Sequence, residues 1–243
     1  MAMTQNNFQT FSPSEHPYIT IICSNCGHSH PVPKLCGDRF CEICGRRRRF
    51  RVRSRLRALL SHSQLSKGDK FAHLIFTLKN QPDLEKMVYQ LIASFRKLRQ
   101  RKIWKSSVKG GAYVIEVTGS PGDWHAHMHC VIQSQYIPQR VLLKHWRDLN
   151  GKAGCFIKAI PKQAIINYLS KYLVLDKSSC ASRSHINKAL CGIRLFQPFG
   201  LWHKLIGKYT SIGFKCPVCG STTWIIDFML SDGYLNKHGL KPP

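Results

Sequence analysis

Three histidines at alternate positions, His125, His127 and His129, lie in the run Asp-Trp-His-Ala-His-Met-His-Cys-Val-Ile-Gln that spans Asp123 to Gln133. If this run is a strand, all three rings leave one face, while Ala126, Met128 and Cys130 face a core. Two imidazoles presented side by side from a rigid strand form half a site for a divalent metal, with the remaining ligands due from a neighbouring element. Tyr168 and Tyr172 are four residues apart in a helical stretch, so they share one helix face a turn from each other. Tyrosines near a two-histidine metal site suggest phosphodiester chemistry through a covalent phosphotyrosine: the metal polarises the phosphate and a phenolic oxygen attacks in line. An isolated tyrosine ionises near pH ~10, so it needs the metal or a nearby lysine such as Lys171.

A second chemistry is written in thiols. Seven of the 11 cysteines cluster towards the ends: Cys23, Cys26, Cys36, Cys41 and Cys44, then Cys216 and Cys219. Thiolates with two residues between them can grip one tetrahedral ion from a tight turn, and two such turns close a structural Zn²⁺ site. Which four bind together is open. Cys36, Cys41 and Cys44 could supply three ligands with Cys26 or a histidine as the fourth. Cys216 and Cys219 need partners from Cys180, Cys191, His203 or the surplus N-terminal cysteines. The odd cysteine number and the Cys-x-x-Cys spacing favour zinc in a reducing compartment over a disulfide framework.

The elements that must position these groups can be read around them. Phe71 to Leu78 reads as a buried strand, with Asn80 as cap and Pro82 in the first turn of a helix whose apolar residues run from Leu84 to Leu98. Ala112 to Thr118 reads as a strand joined to the histidine strand by Gly119-Ser120-Pro121-Gly122, which makes the two antiparallel neighbours. Glu116 then faces the histidines and becomes a candidate carboxylate ligand. Pro138 opens a helix ended by Asn150-Gly151, Cys155 to Ile160 is a short strand, and Pro161 starts the tyrosine helix. Residues 177–190 read as a connector, and Thr223 to Leu230 as an apolar strand. The fold expected is α+β: a central antiparallel-rich sheet with helices packed against it, plus small zinc-binding appendages. The domain reading is a flexible arm over 1–20, a zinc knuckle and Arg-rich segment over 21–69, the catalytic unit over 70–177, and a C-terminal region with a Cys-x-x-Cys knuckle over 178–243.

Composition names the partner class. Lys and Arg total 37 against 12 acids in 243 residues, a net charge of +25 that calls for a polyanion such as nucleic acid. Eight arginines, Arg46, Arg47, Arg48, Arg49, Arg51, Arg53, Arg55 and Arg57, fall within twelve positions directly after the knuckle. Arginine forks suit phosphate oxygens but carry no base sequence information. The chain has no run of 18 apolar residues and no hydrophobic leader, so a cytoplasmic protein with no membrane partner is expected. A phosphate-cradling glycine loop is also missing, which leaves an intrinsic ATPase or helicase unsupported.

Taken together, Phe76-Thr77-Leu78, then Trp124-His125-Ala126-His127-Met128-His129, then Tyr168-Leu169-Ser170-Lys171-Tyr172-Leu173 resemble the three ordered motifs of the HUH endonuclease superfamily, and within it the rolling-circle replication initiators of plasmids and phages. The resemblance covers about residues 70–177, and the Cys36-x-x-Arg39-x-Cys41-x-x-Cys44 prelude is also similar. It implies that His127 and His129 bind Mg²⁺ or Mn²⁺ with Glu116 as third ligand. It further implies that Tyr172 is the primary nucleophile on single-stranded origin DNA, becoming joined to the 5′-phosphate and leaving a 3′-hydroxyl for a host polymerase, with a host helicase as a further partner. Tyr168 stands where single-tyrosine members carry a glutamate, which points to the two-tyrosine branch. The helix ends Val174-Leu175-Asp176-Lys177, where a lysine is expected sooner, so the helper lysine is open between Lys171 and Lys177. Two-tyrosine transposases of insertion sequences share these motifs and are the nearest alternative; a non-catalytic, zinc-stabilised DNA-binding protein is the alternative from another class. Oligomeric state and recognised sequence are not written in these motifs.

Overall fold

The computed structural model describes residues 17–34, 36, 38–63, 65–171, 180–208 and 214–226. In chain order they form β1 (Tyr18–Cys23), β2 (Ser29–Pro33), α1 (Glu42–His62), β3 (Lys70–Thr77), α2 (Leu84–Leu98), α3 (Lys102–Ser107), β4 (Val108–Ser120) and β5 (Asp123–Ser134). There follow α4 (Gln139–Asn150), β6 (Gly154–Ile160), a 3₁₀ turn (Lys162–Ala164) leading into α5 (Ile165–Lys171), α6 (Cys180–Ala189), β7 (Phe196–Gly200), α7 (Leu201–Lys208) and β8 (Trp224–Ile226). The chain divides into two compact units, Met1–Cys44 with Ser211–Pro243, and Gly45–Thr210.

The first unit is built on a three-stranded sheet of order β2-β1-β8, both pairings antiparallel. Its central strand begins at Tyr18, inside the stretch the sequence suggested as an arm. In β1–β8 pairing, Cys23 lies opposite Trp224, which brings the two ends of the chain onto one sheet.

The second unit carries a five-stranded sheet of order β6-β3-β5-β4-β7, antiparallel throughout. The α+β class expected from the pattern is what forms. The histidine strand β5 is central because every residue from Met128 to Ser134 is buried, so it needs a neighbour on both edges and a layer on both faces. Ser120 pairs with Asp123 across a two-residue turn of Pro121 and Gly122. Proline presets the first position of that turn, and Gly122 takes the φ of +95° that the second requires.

Alternation along the strands sends side chains to two layers. On one face, Phe76 meets Phe95 of α2 at 5.6 Å and Trp146 of α4 at 4.7 Å between ring centroids. On the other, Phe71, Ala112, Val114, Val131 and Ile160 form a core with Val52, Leu56, Leu59 and Leu60 of α1, Ile165 and Leu169 of α5, and Trp202 of α7. Burying each large apolar side chain contributes roughly 1.5–3 kcal/mol. The arginine-rich helix is therefore also a packing helix: its apolar residues at 52, 56, 59 and 60 follow helical spacing and cover the sheet.

Three local readings change. Asp83, not Asn80, caps α2, its carboxylate accepting from the Lys86 amide at 2.9 Å. Asn80 instead donates to Asp123 Oδ1 at 2.9 Å, tying the end of β3 to the hairpin. The connector expected over 177–190 contains α6; small polar residues lower helix propensity, but Ile186, Ala189 and Leu190 bury a face there that packing can reward. The tyrosine helix starts with the 3₁₀ turn and reaches Lys171; Tyr172 lies outside the described residues.

Candidate active site and cysteine clusters

Register alone brings the histidine face together. Glu116 of β4 and Thr77 of β3 both pair with His127, so the three side chains leave the same face of adjacent strands. The rings of His125 and His127 lie 4.1 Å apart, and those of His127 and His129 lie 5.9 Å apart. His129 is buried, and its Nε2 lies 2.9 Å from Glu116 Oε2, a distance that holds one shared proton. This hydrogen bond from His129 is the leading reason that the Glu116 carboxyl lies below its ordinary range; partial burial opposes it, and the charges of His129, His127 and Lys171 reinforce it. Lys171, exposed at the end of α5, thus acts on the same carboxylate.

His73, on β3, was not singled out by its sequence context, because one histidine inside Phe-Ala-His-Leu-Ile-Phe reads as a core residue. It occupies the histidine face two register steps from Ile75, which pairs with His129. The His73 and His129 rings are nearly parallel, 9° apart at 5.6 Å, and His73 Nε2 lies 3.4 Å from His129 Nδ1. The Tyr168 ring sits 4.7 Å from that of His73. Thus Glu116, His129, His73 and Tyr168 form a continuous file from β4 across the sheet to α5. Burial, then neighbouring His129, draws His73 down to about 4. Burial, then His125 and His129, draws His127 down to about 4 against the opposing pull of Glu116. Both imidazoles are therefore neutral near pH 7, with lone pairs available to a cation or a proton.

The donor set of two imidazoles and a carboxylate suits a divalent cation. To hold such an ion, His129 and Glu116 would have to give up the proton they share. Among the described residues, only two cysteine groups bring three or more ligand atoms within 4.8 Å of one another, so the histidine group is more open than either.

Tyr168 is half-buried and positioned from below: Ile165 and Leu169 enter the core, and Ser170 is buried with its hydroxyl 3.5 Å from the Arg53 guanidinium of α1. The other arginines divide by exposure. Arg46, Arg47, Arg51 and Arg57 are exposed, while Arg48, Arg49, Arg53 and Arg55 are partly buried.

The thiols assemble into two groups, which answers the pairing left open by spacing. Cys23, Cys26, Cys216 and Cys219 form one, and Cys36, Cys41 and Cys44 the other. The surplus N-terminal pair is thus the partner of the C-terminal knuckle. Sulfur separations are 3.6 Å for Cys23–Cys219, Cys26–Cys216 and Cys36–Cys44. Bonds of ~2.3 Å to a tetrahedral zinc place sulfurs ~3.8 Å apart, so both groups could hold that ion. Burial, opposed by the Asp38 amide and reinforced by Cys44 and Cys41, pushes the Cys36 thiol up to about 12. A bound cation removes that repulsion and lets all three thiols ionise.

A family model described as "Replication protein" matches residues 31–153, which takes in the second cysteine group, α1 and the histidine strand and ends before the tyrosine helix. Among curated proteins, "Protein rep" of Staphylococcus aureus is 29% identical over 129 residues, 48% of this chain and 56% of that protein. The chain therefore spans about half the length of the curated relative it matches. No solved structure matches it. No helix among the described residues is long and apolar enough to cross a membrane.

Proposed function

The chain belongs to the replication protein family, and from that premise we propose that it initiates rolling-circle replication by nicking and rejoining single-stranded origin DNA through a 5′-phosphotyrosine. The observation that carries this reading is the file of Glu116, His129, His73 and Tyr168, which sets a carboxylate, imidazoles and a phenol on one face of the sheet within contact of one another.

In this reading His127, His129 and Glu116 hold Mg²⁺ or Mn²⁺. Such an ion would supply positive charge to stabilise the scissile phosphate. Tyr172 is the first nucleophile: its phenolic oxygen bonds to phosphorus, the P–O3′ bond breaks, and the departing oxygen takes up a proton to become a 3′-hydroxyl. The phenolic proton leaves to solvent, helped by the positive charge of Lys171. The bond energy is conserved in the phosphotyrosine, so a 3′-hydroxyl can attack phosphorus, release the tyrosine and reseal the strand. Tyr168 serves as the second nucleophile, which lets the product of one round be cut and rejoined. The freed 3′-hydroxyl is the primer for a host polymerase, with a host helicase opening the duplex ahead. The exposed arginines of α1 hold phosphates, and zinc in the cysteine groups fixes the knuckle that precedes that helix.

The test is an adduct assay on denaturing gels, with the protein incubated with a library of single-stranded DNA and Mn²⁺. An adduct that EDTA and His127→Ala both abolish supports the proposal, and sequencing the attached DNA names the site. An adduct indifferent to both refutes the metal-dependent mechanism.

A further inference from the structure

On the sheet face opposite the histidines, a cleft of about 520 Å³ opens between α2, β4, β7 and the turn after α6. Tyr113 and Gln197, paired in register on β4 and β7, line it together with Tyr89, Arg96 and Arg99 of α2, and Arg194 beyond α6. Three arginines line this concave space, and no acid does. The sequence explains the imbalance, because no Asp or Glu occurs between Lys177 and Ile226. Among the described residues, the three arginines have no carboxylate within salt-bridge distance.

Arg99 is not a freely solvated cation. Its guanidinium lies 4.6 Å from the centroid of the Phe199 ring and 6.0 Å from that of Phe95, partly buried at the base of the cleft. Lying over the Phe199 ring, with Phe95 further off, holds the guanidinium at this place before any ligand arrives. Arg96 and Arg194 line the same cleft and are exposed. Three like charges around one concave surface, with no acid among them, favour an anion in the cleft. At the rim, Tyr89 is 61% exposed, an unusual outlay for an aromatic ring that covers no core. An arginine held against a ring, two exposed arginines and an exposed tyrosine suit a phosphate with an unpaired base beside it. A duplex would offer phosphates but no free base face.

We propose that this cleft binds a segment of single-stranded DNA, one phosphodiester on Arg96, Arg99 and Arg194 and a base on Tyr89, at a site separate from the histidine face. A strand held there is kept apart from the strand being cut. The inference needs DNA binding but not the nicking chemistry, and its test is made without metal so that the two can fail independently.

The experiment is fluorescence anisotropy of the full chain in EDTA with labelled oligo(dT), labelled duplex and free thymidine monophosphate as competitor, across a salt series. The Arg96→Ala/Arg194→Ala double variant should lower oligo(dT) affinity about tenfold or more at low salt and reduce the logarithmic salt slope by ~0.7, the one single-strand phosphate contact these arginines share. Tyr89→Ala should weaken oligo(dT) several-fold and leave the duplex unchanged. Both substitutions are at exposed positions, and unchanged melting temperatures confirm that folding is intact. An unaltered salt slope in the double variant overturns the proposal, as does an equal effect of Tyr89→Ala on both DNA forms. Competition by the mononucleotide at the same phosphate concentration as oligo(dT) would instead make this a nucleotide pocket and would also overturn it.

Discussion

Glu116 and His129, thirteen residues apart in sequence, meet at 2.9 Å across the β4–β5 hairpin. The two are not directly opposite in register; Glu116 pairs with His127, so the contact is diagonal. Such diagonal neighbours lie within reach of long side chains. Glutamate has that length, and aspartate at 116 would fall short.

Glu116→Gln keeps the shape and removes the charge. In the proposed site Mn²⁺ binding should weaken at least ~10-fold, the lower end of what even changes outside a ligand shell cost. Calorimetric titration of Mn²⁺ into the two proteins checks this, and equal affinities would remove Glu116 from the ligand set. Glu116→Asp should be impaired as well, through reach alone.

Acid should loosen the fold through one buried and one half-buried histidine. His73 and His127 have folded values of about 4 against an ordinary 6.5, so the unfolded chain binds protons that the native state refuses. Their contribution is complete above pH 6.5 and is lost as pH falls towards 4. Melting temperature followed over that window, in EDTA, should drop steeply for the native sequence and less steeply for His73→Phe. Parallel curves would contradict the assignment of His73.

The arginine helix should show two separable phenotypes. Leu56 is fully buried against the sheet, so Leu56→Ala should cost ~2–5 kcal/mol and lower the melting temperature. Arg47 is exposed, so Arg47→Ala should leave melting unchanged while weakening DNA and flattening its salt dependence. Denaturant unfolding and anisotropy measured on both variants distinguish the roles; loss of stability in Arg47→Ala would contradict the division.

Two cysteine groups predict two zinc ions per chain. Elemental analysis should find about one fewer in Cys216→Ser and one fewer in Cys36→Ser, with the losses adding in the double variant. One ion in the native protein, lost in either single variant, would show that the groups share a single site.

How much of this was legible in the sequence depends on the range over which each signal acts. The hairpin was, because Gly119-Ser120-Pro121-Gly122 is too short for anything but a turn between antiparallel neighbours, which lets Glu116 face the histidines; the strands run on to Ser120 and Asp123, so the turn itself is Pro121 and Gly122. The packing face of α2 was legible from its apolar spacing. The Cys23/Cys26 pairing with Cys216/Cys219 was left open, because its closure runs across some 190 residues through β1 and β8, strands too short to announce their partner. His73 was missed for a different reason. Its apolar neighbours describe burial and say nothing of the ring it faces; only the β3–β5 register brings it to His129. The packing role of α1 was hidden behind its charge, since Val52, Leu56, Leu59 and Leu60 are few beside eight arginines.

The most direct measurement is peptide mapping by mass spectrometry of the covalent protein–DNA adduct after nuclease trimming, in the native sequence and in Tyr172→Phe. A nucleotide is expected on Tyr172 in the native protein, with its loss together with the first nick in Tyr172→Phe, and retained DNA binding in that variant. A nucleotide on a residue other than Tyr172 or Tyr168, or undiminished nicking when both are phenylalanine, would contradict the tyrosine assignment.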